Sequence, residues 1–302
     1  MPSLSTVRAF NAAFKPTYTP VAVFVGGTSG IGQGMAEAFA QHTKGNAHIL
    51  IVGRNRAAAE SIIARFPKPT AAGVQHEFVE CDITLMANVQ RVAGALRAQH
   101  PKVNFLVLTP GVLTMNGRNE TAEGLDRKLA VHYYGRWKFI RELLPAVRAA
   151  QTAGGDAKVM SVLAAGMGGA IDLGDLGLVK TFSLANAAVA APTYNDLMIQ
   201  DFAAEDPAIS FIHSYPGVVR TGIMQASDSA LIRASSILMP ILTPFSYSLE
   251  ASGEHQLYAL LKSGPGAVRT NAKGDDIGMK GYHGSEEARK KLWDHTVKVT
   301  TV

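Results

Sequence analysis

Short apolar runs alternate along the first two thirds of the chain with stretches whose apolar positions recur every three to four residues. The runs at 21–26 (VAVFVG), 48–53 (HILIVG), 76–82 (HEFVECD), 103–111 (VNFLVLTPG), 157–166 (AKVMSVLAAG) and 209–217 (ISFIHSYPG) read as strands. Between them, 31–42, 56–65, 87–99, 129–150 and about 186–204 carry the helical period. Strands without polar alternation, each followed by a helix, predict a parallel sheet covered on both faces: a doubly wound α/β fold closed by the run at 209–217. Residues 1–20 read as an N-terminal extension and 21–302 as one domain, with an apolar, irregular lid at about 222–262 and a C-terminal helix at about 285–299, where Glu–Lys spacing supports it.

Composition narrows the function classes. The 302 residues are 47% hydrophobic and 18% charged, enough for a sizeable core. A single cysteine, Cys81, excludes an internal disulfide and a cysteine metal cluster; no His/Asp/Glu group has zinc spacing, and no G-x-S-x-G elbow is present. The net charge of +5 comes from scattered bases, without the stripe or aromatic platforms of a nucleic-acid face. The longest apolar run, 230–249, is interrupted by Arg233, Pro240 and Pro244, so no integral membrane segment is expected. The first twenty residues lack the arginine density of a presequence; a helix lying on the domain and a cytoplasmic location are the expectation.

The stretch VFVGGTSGIGQG follows a strand and opens a helix. There Gly26 permits a tight turn, Gly30 lets backbone approach a pyrophosphate, and Gly32 allows close helix–sheet packing, with Thr28, Ser29 and Ile31 between them. At the end of the next strand a free ribose 2′-hydroxyl would call for an acid. The chain has Arg54, Asn55 and Arg56 instead, and an arginine suits a 2′-phosphate, so NADP(H) is the expected cofactor.

The pattern G-x-x-x-G-I-G resembles the short-chain dehydrogenase/reductase family, whose fold is Rossmann-like. CDI (81–83) resembles the family's adenine-contacting strand end, which implies roles for Asp82 and Ile83. LTPG (108–111) stands where the family has N-N-A-G and implies Pro110 and Gly111. YPGVVRT (215–221) is similar to the segment bordering the nicotinamide, implying Pro216, Gly217, Val219 and Thr221, the last for the carboxamide.

Catalysis in that family rests on Asn, Ser, Tyr and Lys. The tyrosine donates a proton as hydride arrives, the lysine lowers its pKa, the serine steadies the oxygen and the asparagine positions a water. AAPTYNDLM allows two registers. One makes Tyr194 the catalyst and leaves Met198 where lysine belongs, with an interval to Pro216 shorter than the family's. The other extends IDLGDLGLVKTF, which resembles the retinol-dehydrogenase-like branch. It puts Ala188 and Pro192 at the tyrosine and lysine positions and Asn195 on that branch's S-K-L-A-N asparagine. Tyr194 then lies about 240° round the helix from Ala188, off the active face. LAVHYYG places His132 on the catalytic asparagine, and VMSVLAAG places Leu163 on the serine, with Ser161 two residues earlier on the same strand face. Every tetrad position is substituted.

His132 is the best available acid or base and Ser161 a candidate to orient a carbonyl; each also has a structural reading, as a hydrogen-bonded helix histidine and a strand serine tied to its neighbours. Tyr215, Tyr133 and Tyr134 could present a hydroxyl but read as packing residues, and His213 as a strand residue. Three functions stay open. The first is an NADP(H)-dependent reductase acting on an activated apolar carbonyl, enone or imine, such as a lipid, terpenoid or polyketide-like compound of secondary metabolism. The second is an isomerase or cyclase whose greasy pocket is shaped by Met224, Leu238, Met239, Ile241, Leu242 and Phe245. The third is a catalytically silent NADP(H)-binding protein. Oligomeric state stays open; the family resemblance implies that a homodimer would form through the two long helices, where HYYGRW (132–137) would lie.

Overall fold

The computed structural model describes residues 2–235 and 246–302. Leu238, Met239, Ile241, Leu242 and Phe245, expected to shape the lid, lie outside the described residues. In chain order the elements are α1 (Leu4–Ala12), β1 (Val21–Val25), α2 (Gly30–His42), β2 (His48–Gly53), α3 (Arg56–Ile63), β3 (His76–Glu80), α4 (Met86–Gln99) and β4 (Phe105–Leu108). A single turn, α5 (Arg127–Leu129), runs through a π-helical turn (Ala130–Tyr134) into α6 (Gly135–Thr152). Then come β5 (Lys158–Val162), α7 (Leu184–Glu205), β6 (Ser210–Ser214), α8 (Ala230–Ser235), α9 (Leu249–Lys262), β7 (Gly266–Thr270) and α10 (Glu286–Thr300).

The strands form one parallel sheet in the order β3-β2-β1-β4-β5-β6-β7. Side chains alternate between two cores, as the period of a strand requires. Val21, Val23 and Val25 face α4, α6 and α7, whereas Ala22 and Phe24 face α2 and α9. The sheet does not close at the run 209–217: β6 pairs along its length with β7, whose five residues GAVRT contain no apolar run that would mark a strand. The range expected to form a lid, about 222–262, includes α9. α9 is a core helix, with Ser252 to Leu260 buried. It meets α2 through two glycines; a Cβ on Gly34 would lie 2.6 Å from the Leu249 carbonyl oxygen, and one on Gly253 would collide with the Gly34 backbone. From the other side α1 docks on α9, where Asn11 Nδ2 donates to Glu254 Oε2 at 2.7 Å.

The α6–α7 face expected to meet a second copy is covered by the chain's own α10. Trp293 packs edge-on to Trp137 and Phe202, both with ring centres 5.2 Å away. The Tyr133 hydroxyl pairs with Thr296 Oγ1 at 2.7 Å, and that of Tyr134 with His295 Nε2 at 2.8 Å. Tyr133, Tyr134 and Trp137 are therefore core residues, and the two tyrosine hydroxyls are taken up by α10.

Candidate active site

Strand order reverses between β1 and β4, and a crevice at the carboxyl ends of strands opens at such a point. The glycine turn forms one wall. Gly26 (φ +82°) and Gly30 (φ +55°) hold left-handed backbone that other residues adopt at a cost. Gly26 also packs so closely on the β4 end that a Cβ would lie 2.7 Å from the Pro110 nitrogen. Gly32 likewise backs onto Thr109 and the Gly26 carbonyl, and Thr28 lies against Gly53 at the end of β2. Ile31 is half-buried in the first turn of α2. Ser29 is the N-cap of α2, yet its side chain makes no cap hydrogen bond, and the first turn holds no acid. The leading N–H groups and the positive end of the helix dipole are thus left for an anion. Thr221 closes over this turn, its methyl 3.3 Å from where a Gly30 Cβ would stand.

At the end of β2, Asn55 caps α3 by accepting from the Ala58 N–H at 3.0 Å. Arg56 is held by Glu60 (3.7 Å) and lies over the Phe78 ring. Arg54 is exposed and has no hydrogen-bond or ion-pair partner among the described residues. Asp82 Oδ1 accepts from the Thr84 N–H and hydroxyl at 3.0 and 2.8 Å, and buried Ile83 packs beneath Gly135. On the far wall, Gly217 takes φ +75° with Tyr247 against it, Val219 pairs with Tyr247 in a parallel bridge, and Pro216 is buried. Gly111 brings the two walls together: a Cβ there would lie 3.7 Å from Ile223 Cδ1 and 3.8 Å from His132 Nε2.

Below Gly111 lies a polar network that sequence reasoning missed. Arg136 is 0% exposed and has no carboxylate partner among the described residues. Its Nη1 donates to Ser161 Oγ (2.6 Å), Val162 O (2.9 Å) and Leu108 O (3.3 Å), its Nε to Val131 O (3.3 Å), and its Nη2 to Pro110 O. Ser161 spends its proton on Asn195 Oδ1 at 2.7 Å, and Asn195 Nδ2 donates to the His132 carbonyl oxygen at 2.8 Å. The Ser161 hydroxyl expected to orient a substrate carbonyl is therefore committed inside the protein, at 1% exposure. His132, on the π-helical turn, accepts the Val112 N–H at Nε2 (3.1 Å). Burial, then the charges of Arg136 and Lys128, hold its pKa far below the usual range, at about 3. The ring is neutral, and accepting at Nε2 puts its proton on Nδ1.

Tyr194 turns away from the crevice; its hydroxyl donates to Leu176 O at 2.9 Å and its ring packs on Tyr133. Ala188 is exposed, Pro192 buried, and Leu163 half-buried at the end of β5. One turn below Pro192, buried Asp196 takes Arg269 in a bidentate pair (2.9 and 2.8 Å) and pairs with His213 Nδ1 at 2.6 Å. His213 Nε2 in turn accepts the Ala164 N–H at 3.3 Å, which pins the loop after β5 to α7. Burial pushes the His213 pKa down, so this ring too is neutral. One signal in the sequence could have exposed Arg136: its helix neighbours Tyr133, Phe139 and Ile140 are all core residues, so an arginine there must be buried.

The short chain dehydrogenase family model matches residues 20–171, half of the chain. Oxidoreductase AN1596 of Emericella nidulans is 33% identical over 98% of this chain and 97% of its own length. The chain belongs to the short-chain dehydrogenase family. Two solved structures share the fold of this family member. The 3-ketoacyl-(acyl-carrier-protein) reductase of Brucella melitensis, complexed with NADH, has a TM-score of 0.59 at 20% identity, covering 84% of this chain and 97% of its own. The Pseudomonas aeruginosa RhlG/NADP active-site complex has a TM-score of 0.59 at 17% identity, covering 86% and 98%. The chain is thus an oxidoreductase of the short-chain type, a family in which both NAD and NADP complexes occur. Among the described residues no group of ligating side chains could hold a metal, and no helix is long and apolar enough to cross a membrane.

Proposed function

We propose that this short-chain dehydrogenase binds NADP(H) and reduces an apolar enone, imine or activated carbonyl without a fixed tyrosine acid. The observation that carries the cofactor reading is the pairing of an uncapped, acid-free α2 N-terminus with Arg54, an arginine that has no partner within the described protein. The glycine turn and α2 would hold the pyrophosphate, Arg54 the 2′-phosphate, Asp82 and Ile83 the adenine side, and Gly111, Pro216 and Thr221 the nicotinamide side. Bound there, the cofactor supplies hydride; everything else is left to the side chains around the cleft.

Those side chains position more than they protonate. Neither Ala188 nor Pro192 carries a proton, Leu163 carries no hydroxyl, and Ser161 is spent internally. His132 stays neutral throughout the physiological range, so it serves as a hydrogen-bond donor through Nδ1 rather than as an acid. Substrates that need little proton donation at the moment of hydride transfer suit such a site, with water completing the reaction. The apolar character of the substrate rests on the rim. Leu113, Met115, Met167, Val218, Ile223 and Leu231 are exposed, and all lie on segments following β4, β5 and β6 at the cofactor edge of the sheet.

The test is stopped-flow mixing of protein with NADPH, reading nicotinamide fluorescence, then 340 nm absorbance after adding enones, imines and plain ketones. Oxidation with the first two classes and not with ketones is the expected result. Binding with no oxidation of any acceptor would replace this reading by a non-redox or silent one, and equal turnover of plain ketones would overturn the missing-acid argument.

A further inference from the structure

The Arg136 side chain is a positive charge sealed into the floor of the cofactor cleft without a compensating carboxylate. Each of its five contacts ends on a carbonyl or hydroxyl oxygen: Val131, Leu108, Val162, Pro110 and Ser161. Such dipoles satisfy the guanidinium's donors and leave its unit charge in place. Burial draws its pKa down to about 9, which still leaves it charged at neutral pH. The surrounding acids are engaged elsewhere. Asp196, on α7, is neutralised by its bidentate pair with Arg269. Asp126 caps the turn that begins α5, accepting from the Lys128 and Leu129 N–H groups. Lys128 adds to the positive side, its ammonium held by the Asn116 and Gly117 carbonyls. Nor is the field confined to the core. Arg136 and Lys128 are the charges that oppose a proton on His132, and His132 borders the cleft beside Gly111.

A cation entering that cleft would meet opposition of the same sign as a proton on His132. The nicotinamide ring is positive when oxidised and neutral when reduced, while the phosphates and adenosine are the same in both states. We infer that Arg136 sets the redox state of the cofactor this protein holds, favouring the neutral reduced ring over the cationic oxidised one. The inference rests on the dinucleotide reading above and adds a direction to it: oxidised cofactor is held more weakly and leaves readily, while the same preference lowers the driving force for hydride transfer from the bound reduced ring.

Three ligands separate the ring's charge from the rest of the cofactor: NADPH, NADP+ and 2′-phospho-ADP-ribose, which has the phosphates and no nicotinamide. In calorimetric titrations of the full chain, NADPH should bind at least about tenfold more tightly than NADP+, the scale of one uncompensated charge acting across a partly buried site. NADP+ should bind no more tightly than 2′-phospho-ADP-ribose. The variant Arg136→Met should shrink the NADPH/NADP+ gap to about threefold or less, and Arg136→Lys, which keeps the charge, should preserve it. Wild-type protein binding NADP+ as tightly as NADPH overturns the inference whether or not the methionine variant folds, and so does an unchanged gap in a folded Arg136→Met protein. Failure of all three ligands to bind would sink the dinucleotide reading itself, a result distinct from binding without discrimination.

Discussion

Replacing Arg54 by glutamine should weaken NADPH binding and leave NADH binding nearly untouched. The residue follows β2 directly, where the second ribose of a dinucleotide would lie, and its guanidinium has no carboxylate or carbonyl among the described residues to break from. Nothing within the protein therefore offsets what a phosphate contributes. A charge-assisted hydrogen bond to a phosphate is worth about 1.5–3 kcal/mol, and exposure places this one near the lower end. About 1.5–2 kcal/mol corresponds to a Kd raised roughly 10- to 30-fold. Arg56 is the internal control. Its charge is shared with Glu60 at 3.7 Å and its plane rests on Phe78, so Arg56→Gln should change NADPH affinity by no more than about threefold. Titration of nicotinamide fluorescence with both cofactors, in wild type and both variants at fixed ionic strength, gives the four ratios needed. An Arg54→Gln protein that binds NADPH and NADH in the wild-type ratio would refute the assignment, as would a larger loss from Arg56→Gln.

Acid should destabilise the fold early. His132 and His213 have pKa values pushed down by burial, so below about pH 6.5 the unfolded chain takes up protons that the folded chain refuses, and stability present above that pH is lost as pH falls. His132 alone, held at about 3, contributes about 1.4 kcal/mol of loss between pH 7.5 and 5.5, with His213 adding in the same direction, readable as a lower urea midpoint; an unchanged midpoint in the wild-type protein would show that His132 is not held neutral. Asp196→Asn should cost about 3–5 kcal/mol, because Arg269 stays buried without its carboxylate, and urea denaturation showing a loss below 1 kcal/mol would contradict that. Gly253→Ala should cost about 2–3 kcal/mol and lower Tm, since the new methyl meets Gly34 backbone rather than a movable side chain. Sedimentation should report a 32.0 kDa particle, because α10 already occupies the α6–α7 face; a dimer that dissociates when α10 is deleted would show that reading to be wrong.

Where the sequence could be read, a single physical signal dominated the segment. The strands β1, β2 and β4 are apolar runs with few alternatives, and the glycine turn is a short motif whose φ > 0 positions, Gly26 and Gly30, can be anticipated from residue type. The strand β7 lacked such a signal: Gly266 and Arg269 interrupt it, and it exists because β6 offers an unpaired edge. The buried cation was hidden for the opposite reason. Arg136 sits in a helix whose period already explains Tyr133, Phe139 and Ile140, and an arginine in such a run passes for part of a solvated face unless each position is assigned to a side. Asp196 was equally silent, because its partners His213 and Arg269 lie 17 and 73 residues away. Fold thus follows from local pattern, whereas the floor of the cleft depends on long-range pairs that no window of the sequence contains.

Under the proposed register, the residues at the four positions where the family carries its catalytic tetrad can be read as one change. A lysine on α7 at position 192 would stand one turn from Asn195, and Asn195 is joined through Ser161 to Arg136 by hydrogen bonds of 2.7 and 2.6 Å. Two cations sharing that dry floor would repel each other strongly, and each would be left short of acceptors. Pro192 stands there instead, Asn195 donates to the His132 carbonyl oxygen, and the Arg136 charge is carried on α6. A tyrosine at position 188 without its lysine would keep an ordinary, high pKa and make a poor acid near neutrality, so little is retained by keeping it. On the proposed reading, what survives is a cleft that would hold a dinucleotide, position a hydride acceptor with a neutral hydrogen bond, and leave the proton to solvent.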